Sequence, residues 1–351
     1  MSMLLRLRAY DFAFPIAVLI WAGIAMALCT YGRMFILDTD YPRALAEYHL
    51  IVDQCVTEPR IITGDSVTRD GIDPRILGPN ILNVSLGASN PIELYFELKD
   101  MRWCTPGPRE VYIAITPHHF VYDDGYWGSA VRYGLLTQDE IQQVRDDSAR
   151  LSDNLLYHQG RLGFNNAVTV WLKDHHAPTV YLPSIRNSLL SPRYEKNIAL
   201  YNTMISNHGY DAKTPLGIEP AFPNKPVPTK VSLEGADKTF KPNPLATLYF
   251  NKILALLRKQ NIHVVFFNMP ISDLTKSVMT PEYAQAYQAY IERILAKYDN
   301  VSFVGGWFPT MPIRYFNDET HLNARGAYEW TEKIKDTLNS AAHTDASRHQ
   351  P

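Results

Sequence analysis

The chain has 351 residues, of which 20% are charged and 46% hydrophobic, and its formal net charge at neutral pH is −2. A chain of this length can bury a sizeable core in one large α/β domain or two small ones. The near-neutral balance shows no sign of the basic surface that nucleic-acid-binding proteins carry, so no nucleic-acid partner is expected.

An uncharged, mostly apolar stretch, in which Ala and Ile are the commonest residues, covers residues 12–32. A helix needs about 20 apolar residues to cross a bilayer, so this stretch predicts one transmembrane anchor. Arg6 and Arg8 precede it, which favours residues 1–11 as a cytoplasmic tail and an exported bulk. We therefore expect a single-pass protein of the inner (cytoplasmic) membrane with its folded part in the periplasm or outside the cell. A cleaved signal peptide is the alternative, disfavoured because the apolar run is long and no small-x-small site follows.

Residues 33–59 are predicted to be a short amphipathic lead-in segment. Beyond them, strand-like apolar runs alternate with helix-like stretches. The strand-like runs are 60–63, 81–86, 111–116, 263–268 and 301–304. The helix-like stretches are 91–101, 245–260, 281–298 and 324–338. This alternation predicts an α/β domain over residues 60–340, in which a mostly parallel five-stranded sheet is covered on both faces in a three-layer α/β/α arrangement.

The alternation breaks down at residues 120–243, between the third and fourth predicted strands. Residues 136–156 and 189–208 have helical patterns, whereas 214–244 is rich in proline and predicts extended loop. We interpret 120–243 as a helical and loop insertion, which could form a lid or partner surface or be a passive excursion. The polar residues 341–351 are expected to be a disordered tail.

The three cysteines differ in their predicted surroundings. Cys29 lies in the predicted anchor, whereas Cys55 and Cys104 would both lie in the exported domain. Oxidation is allowed there, so the latter two could form a disulfide. Two separate buried thiols are an equally favoured alternative.

A serine follows the first predicted strand in the stretch Ile62-Thr63-Gly64-Asp65-Ser66. A strand that runs into a helix through a small-residue turn lifts the serine hydroxyl out of the sheet and points helix-end N–H groups at it. Near the other end of the chain, Asp318 and His321 are three residues apart, so one turn can present both. His321 could then take the serine proton while Asp318 orients it. The alternatives are that Ser66 caps the helix that follows it, that Asp318, Thr320 or Asn323 caps the last predicted helix, and that His321 is a surface imidazole.

Gly64-Asp65-Ser66 paired with Asp318-x-x-His321, in this order around an α/β pattern, resembles the SGNH (GDSL-type) hydrolase superfamily. Residues 83–91 and 111–120, and His321-Leu322 followed by Gly326, resemble its DltD branch. The resemblance covers most of residues 60–330 except the middle. It implies an SGNH-like fold, a membrane anchor, and work outside the cytoplasm beside a membrane-bound O-acyltransferase that moves acyl groups onto envelope polymers.

An acyl-transfer site needs N–H donors for the oxyanion. The backbone N–H of Ser66 is one candidate, and the resemblance implies the N–H of Gly87 as the second. A typical SGNH member adds an asparagine side chain from a Gly-x-Asn-Asp block after the third strand. This chain has Thr-Pro-His-His at 116–119 instead, so His118 or Asn90 could replace that donor, and either could bind substrate.

The position of these residues supports the same site without the resemblance. Parallel sheets bind ligands beyond the carboxyl ends of their strands, and the serine, the glycine and His118 each follow such an end. Arg69, one turn past the serine, could hold an anionic substrate. Alternatively it could form an ion pair with Asp70 or Asp73, which is the more common fate of a surface arginine.

Two pairs of adjacent histidines, at 118–119 and 175–176, suggest a zinc site. No His-Glu-x-x-His motif or cysteine pair accompanies them, and adjacent residues in a strand point to opposite faces. We therefore expect no metal, and no other cofactor.

Taken together, these features predict an extracytoplasmic serine acyltransferase of the SGNH type. It would move an acetyl or D-alanyl type of acyl group through an acyl-serine onto a cell-envelope polymer or exopolysaccharide. Its expected partners are a membrane-bound O-acyltransferase, an acyl donor and a polysaccharide or teichoic-acid-like acceptor. The alternatives are an esterase or deacetylase acting on an envelope polysaccharide, and a non-catalytic polymer-binding assembly factor.

Overall fold

The computed structural model describes residues 12–24, 27, 32–122, 125–131, 133–153, 193–211 and 214–346. The strands are β1 Arg60–Gly64, β2 Ile81–Asn83, β3 Glu110–Ala114, β4 His263–Phe266, β5 Ile271–Ser272, β6 Val301–Phe303 and β7 Thr310–Met311. The helices are α1 Arg33–Ile36, α2 Asp40–Tyr48, α3 Ser66–Gly71, α4 Pro74–Leu77, α5 Pro91–Asp100, α6 Gln138–Arg150, α7 Tyr194–Ser206, α8 Leu233–Ala236, α9 Pro244–Lys259, α10 Asp273–Val278, α11 Pro281–Leu295 and α12 Ala324–Ala346. Residues 12–24 are helical as well.

A five-stranded sheet in the order β2-β1-β3-β4-β6 forms the centre of the molecule, and every strand pair in it is parallel. Ile61 pairs with Leu82 on one side and Val111 on the other, so β1 is hydrogen-bonded along both edges. The prediction of an α/β domain around a mostly parallel five-stranded sheet is confirmed. Each of the five strands overlaps one of the predicted apolar runs, which are continuous because both faces of a parallel sheet are buried.

Alternate strand residues enter two different cores, as the two-residue repeat of a strand requires. Ile61 and Val111 pack with helices α5, α9 and α11 on one face. Ile62 and Tyr112 pack with α3, α4 and α12 on the other face, and Trp330 is the largest side chain that α12 contributes to this core. Helices therefore cover both faces of the sheet, in three layers. The short parallel pair β5–β7 forms a second sheet, which the sequence patterns did not predict.

The lead-in segment packs onto the domain. Tyr41 and Ala44 of α2 lie in a small core with Leu86 and Tyr133. A disulfide joins Cys55 to Cys104, with their Cα atoms 5.5 Å apart. Of the two alternatives for these cysteines, the structure therefore has the pair.

The insertion contains the two helices expected from its sequence, in shorter form, as α6 and α7. Residues 154–192, which include the histidines at 175–176, lie outside the described residues. The proline-rich stretch 214–244 contains no strand and consists mostly of loop, as expected, but α8 interrupts it and α9 begins at Pro244. Proline is favourable in the first turn of a helix, since the missing N–H has no partner there anyway.

The two ends of the chain extend beyond the central sheet. Residues 12–24 are helical with exposed side chains, and nowhere in the described part of the chain is a helix both long and apolar enough to span a membrane. Residues 1–11, 25, 26 and 28–31 lie outside the described residues, so the predicted tail and anchor stay predictions. At the other end, α12 continues to Ala346, into the predicted disordered tail 341–351, because no glycine or proline interrupts residues 327–346.

Candidate active site

The turn between β1 and α3 brings Ser66 to the carboxyl end of the sheet. Gly64 ends the strand where a side chain has no room, because a Cβ would overlap the carbonyl oxygen of Ala114 and the side chain of Thr68. The Thr68 hydroxyl donates to that same Ala114 oxygen over 2.8 Å. The glycine thus allows β1, α3 and the end of β3 to meet closely, with Ser66 as the first residue of α3.

Asp65 organises this turn. It is fully buried, and its Oδ1 accepts the backbone N–H groups of Val67 and Thr68 at 2.9 and 3.3 Å. Its Oδ2 accepts the backbone N–H of Thr116 at 2.7 Å and also the Thr116 hydroxyl. Asp65 is therefore the N-cap of α3 and ties it to the segment after β3. The alternative in which Ser66 caps the helix is wrong, and the serine hydroxyl has another partner.

That partner is His321, whose Nε2 lies 2.8 Å from the Ser66 Oγ although the two residues are 255 positions apart. The other ring nitrogen of His321, Nδ1, lies 3.0 and 3.1 Å from the two carboxylate oxygens of Asp318. Asp318 also accepts the backbone N–H groups of Thr320 and His321 at 2.9 and 2.7 Å. The three predicted catalytic residues thus form one continuous hydrogen-bonded chain. Asp318 does not cap α12.

The loop that carries Asp318 and His321 is fixed by its own backbone. Phe316 and Leu322 form an antiparallel bridge, and both side chains are buried. Asn323 caps α12, with its Oδ1 accepting the N–H of Gly326 over 2.9 Å and its Nδ2 donating to the carbonyl oxygen of Arg314 over 2.8 Å. His321 therefore lies in a closed loop that immediately precedes α12, and the hydrogen bonds of that loop hold the orientation of the imidazole.

The charges of the histidine and the aspartate stabilise each other. Burial alone would lower the pKa of His321, but the hydrogen bond to Asp318 and the charge of that carboxylate outweigh burial and raise it above its ordinary value. Burial alone would raise the pKa of Asp318, but its hydrogen bonds with His321 dominate and lower the pKa to about 2. Asp318 is thus ionised at neutral pH and favours protonation of His321.

A cavity of about 800 Å³ opens beside this chain of residues. Of the residues predicted for the site, those that line it are Ser66, Arg69, Gly87, Asp318 and His321. The volume is within the range of ligand pockets. The structure therefore brings the predicted nucleophile, base, orienting carboxylate, second oxyanion donor and arginine to one place.

The remaining two predicted site residues, Asn90 and His118, do not line this cavity. Asn90 is buried as the N-cap of α5, with its Oδ1 accepting the N–H of Ile92 over 2.8 Å and its own N–H donating to Glu93 over 2.9 Å. His118 lies with its Nδ1 3.2 Å from Oε1 of the buried Glu234. Neither is placed as a third oxyanion donor.

Glu234 is an ionised partner for His118. Burial alone would raise the pKa of Glu234, but its hydrogen bond with His118, the charge of His118 and a bond from the Ser232 hydroxyl lower the pKa to about 2. His118 and His119 occupy a 3₁₀ turn, with ring centroids 3.9 Å apart, so the expectation that they point to opposite faces is wrong. Within the described ranges, no group of three or more His, Cys, Asp or Glu side chains could hold a metal ion.

Several residues that the sequence did not single out complete the cavity wall. From the lead-in segment come Asp38, Asp40 and Arg43; from the insertion come Gly125, Gly128, Ser129, Tyr133, Tyr210, Asp211, Ala221, Pro223 and Lys225. The segments are joined across the cavity, since the Tyr133 hydroxyl donates to Asp38 over 2.7 Å and Arg43 pairs with Asp211 over 3.0 Å. No local sequence pattern predicts these contacts, because they join segments that are far apart in the chain.

The proline-rich part of the insertion contacts the loop that carries the histidine. Lys225 Nζ bonds the side-chain oxygen of Asn317, next to Asp318. Phe222 packs on Tyr315, with ring centroids 5.1 Å apart. The segment therefore forms a wall of the cavity and is attached to the loop that carries Asp318 and His321.

Comparison with known proteins adds little to this geometry. No model of a known protein family matches the chain, and no curated protein matches it. Among solved structures, one described as a "putative platelet activating factor from Streptococcus pneumonia" aligns over 89% of this chain and 98% of its own, at 9% sequence identity and a TM-score of 0.37. We draw nothing about fold or chemistry from a likeness of this size.

Proposed function

We propose that this protein is a serine acyl-transfer enzyme. Ser66 is its nucleophile, His321 its general base and Asp318 the carboxylate that orients the base. The observation that carries the proposal is the continuous chain of contacts, 2.8 Å from Ser66 to His321 and 3.0 Å from His321 to Asp318, in the wall of a large cavity. A nucleophile, a base within hydrogen-bonding distance and a third group on the base are what serine activation requires.

In the first half of the reaction, His321 Nε2 takes the Ser66 proton as Oγ attacks the carbonyl carbon of an acyl donor. The carbonyl electron pair moves to oxygen, and the backbone N–H groups of Ser66 and Gly87 stabilise the resulting oxyanion. The intermediate then collapses, and the proton on His321 passes to the leaving alcohol. The acyl group remains on Ser66 as an ester. In the second half, His321 deprotonates an acceptor hydroxyl or water, which attacks that ester and restores the serine.

The finer proposal is an SGNH-type acyltransferase of the DltD-like kind, anchored by residues 12–32 and working outside the cytoplasm. The Cys55–Cys104 disulfide supports this location, because structural disulfides persist in oxidising compartments. We infer that the acceptor is a hydroxyl of an envelope polymer or exopolysaccharide, supplied with acetyl or D-alanyl type groups through a membrane-bound O-acyltransferase. The large cavity with many polar residues in its wall is compatible with a sugar chain.

An esterase or deacetylase would use the same residues, with water in place of the acceptor. Transfer and hydrolysis are separated by loading Ser66 with an activated acyl ester and adding an oligosaccharide. A transferase gives acylated sugar in excess of free acid, measured by mass spectrometry, whereas an esterase gives free acid at an unchanged rate. A non-catalytic assembly factor would form no acyl-serine at all.

The test of the serine enzyme is covalent labelling of the full-length chain in detergent with a fluorophosphonate, read by intact mass. The wild type should gain one label, and Ser66→Ala should gain none while its unfolding transition is unchanged. Ser129→Ala is the matched control, because Ser129 lines the same cavity but donates its hydroxyl to the carbonyl oxygen of Gly125. Labelling of Ser66→Ala, or a folded wild type that stays unlabelled, would refute the proposal.

A further inference from the structure

Arg69 is held in a fixed position beside the nucleophile. It lies three residues after Ser66 on α3, so both side chains lie on the same side of the helix. Arg69 as a whole is 5% exposed, and its guanidinium donates from Nε and Nη2 to the two carboxylate oxygens of Asp70, at 2.8 and 3.2 Å. This two-point contact fixes the plane of the guanidinium and leaves its remaining nitrogen, Nη1, on the side away from Asp70.

That nitrogen lies against Gly87. A Cβ placed on Gly87 would overlap Nη1 of Arg69, so the guanidinium occupies the space that any other residue would fill with its side chain. Among the described residues, Nη1 has no hydrogen-bond acceptor. Arg69, Gly87 and Ser66 line the same cavity. A cationic N–H donor therefore lies next to the residue whose backbone is to hold the oxyanion.

Arg69 remains protonated and therefore positively charged. Burial alone would lower its pKa, but the charge of Asp70 and the hydrogen bond to it outweigh burial and raise the pKa above its ordinary value. Burial would raise the pKa of Asp70, but the charge of Arg69 outweighs burial and lowers that pKa. The pair thus stays ionised, and the donor is oriented before any substrate arrives. Fixed donors of this kind stabilise developing charge without reorganising.

We propose that Nη1 of Arg69 is the third oxyanion donor of this site, acting on the carbonyl oxygen of a carboxylic ester. When Ser66 Oγ bonds to the carbonyl carbon and its proton moves to His321, the carbonyl electron pair becomes localised on oxygen. The Nη1–H group then donates to that oxygen beside the backbone N–H groups of Ser66 and Gly87, and donates less strongly once the carbonyl re-forms. The inference rests on the proposed serine chemistry and assigns to an arginine the part for which Asn90 and His118 are not placed.

Arg69→Lys and Arg69→Met test the assignment on the full-length protein. Lysine keeps the charge but has a shorter reach and no fixed fork, whereas methionine keeps the bulk and removes every donor. For hydrolysis of an activated acetyl ester, we expect kcat to fall about tenfold or more in Arg69→Lys and about 10²- to 10³-fold in Arg69→Met, with KM within about twofold. Affinity for phenylboronic acid, which forms a tetrahedral adduct on the serine, should weaken about tenfold or more in Arg69→Lys.

Arg75→Lys is the matched control. Arg75 makes the same two-point contact with Asp73, from Nε at 2.9 Å and Nη2 at 2.7 Å, but lines a different cavity. It should keep the wild-type kcat and boronate affinity per folded molecule. Urea unfolding of each variant separates loss of fold from loss of the donor, and kcat is expressed per serine that reacts with fluorophosphonate.

The outcomes separate the two proposals. A wild type that labels and turns over, with Arg69→Lys and Arg69→Met at wild-type kcat and boronate affinity, overturns the role of Arg69 and leaves the serine enzyme intact. Equal losses in Arg69→Lys and Arg75→Lys also overturn it, because they show a structural role of both ion pairs. A folded wild type that neither labels nor turns over refutes the serine enzyme, and this inference with it.

Discussion

Asp65→Asn tests whether a buried carboxylate holds the turn that carries Ser66 in place. In the wild type, Oδ1 of Asp65 accepts the N–H groups of Val67 and Thr68, and Oδ2 accepts the N–H and hydroxyl of Thr116. Asparagine keeps one oxygen for the helix, and asparagine and aspartate are equally good N-caps. The amide nitrogen of the asparagine, however, would replace Oδ2, and it is itself a donor. It cannot accept the two hydrogen bonds that the N–H and hydroxyl of Thr116 donate to Oδ2.

The cost follows from those contacts. The Thr116 hydroxyl can rotate and accept from the new amide, which restores one bond. The Thr116 backbone N–H cannot, and a buried donor without an acceptor costs about 1–3 kcal/mol. We therefore expect Asp65→Asn to lower the free energy of unfolding by about 1–3 kcal/mol. Asp65→Ala should lower it further, by the additional loss of the cap, which is worth about 0.5–2 kcal/mol.

Urea unfolding followed by tryptophan fluorescence measures the change, provided that the slope with denaturant is unchanged. Asp139→Asn is the control, because Asp139 lies exposed in the first turn of α6, and its effect should be within about 0.5 kcal/mol. An Asp65→Asn protein as stable as this control would refute the reasoning, since it would mean that the Thr116 N–H finds another acceptor or that the turn is not held by Asp65.

Further predictions concern the base and the disulfide. Asp318→Asn should lower kcat about 10⁴-fold. It should also move the acid limb of the pH–rate profile to lower pH, because the proposed mechanism needs neutral His321 and the Asp318 carboxylate raises the pKa of His321. An acid limb that stays at the wild-type pH would contradict this. The stabilisation that His321 contributes is complete below the ordinary histidine pKa and is lost as the pH rises through the raised pKa. The stabilisation that Asp318 contributes is complete above the ordinary aspartate pKa and is lost as the pH falls through the lowered pKa of about 2. Asp318→Asn should therefore destabilise the fold more at about pH 5 than at about pH 9, as measured by urea unfolding. Replacing Cys55 and Cys104 with serine opens a loop whose ends are 49 positions apart and should cost about 4 kcal/mol in the same assay; an unchanged midpoint would show that the bridge does not restrain the unfolded chain.

The central sheet could be predicted because its cause is local. Each strand is a short, mostly apolar run, and in β1, β2, β3 and β4 both faces are buried, whereas the edge strand β6 is only half-buried. Such a run is visible in the sequence whatever surrounds it. The two-residue pair β5–β7 escaped prediction for the opposite reason. Ile271–Ser272 and Thr310–Met311 are too short to form a pattern, and they pair only because the rest of the fold places them side by side.

The proposed catalytic residues could be predicted from the sequence, and most of the cavity wall could not. Ser66, Asp318 and His321 occur in short motifs whose chemistry depends on their spacing. The role of Asn90 also had a local signal, because Asn-Pro-Ile-Glu at 90–93 has the spacing of a capping box. His118 had none, since Glu234 is 116 positions away and only the folded chain brings them together.

The long separation in sequence between Ser66 and His321 has a consequence for the protein during its synthesis. Ser66 and its turn are made early, whereas His321 follows 255 residues later, on the loop that the final helix closes. A nascent chain therefore has the alcohol before it has the proposed base. Under the proposed mechanism, Ser66 of such a chain is not yet activated, and activation requires that synthesis is complete through His321 and that folding brings the two segments together.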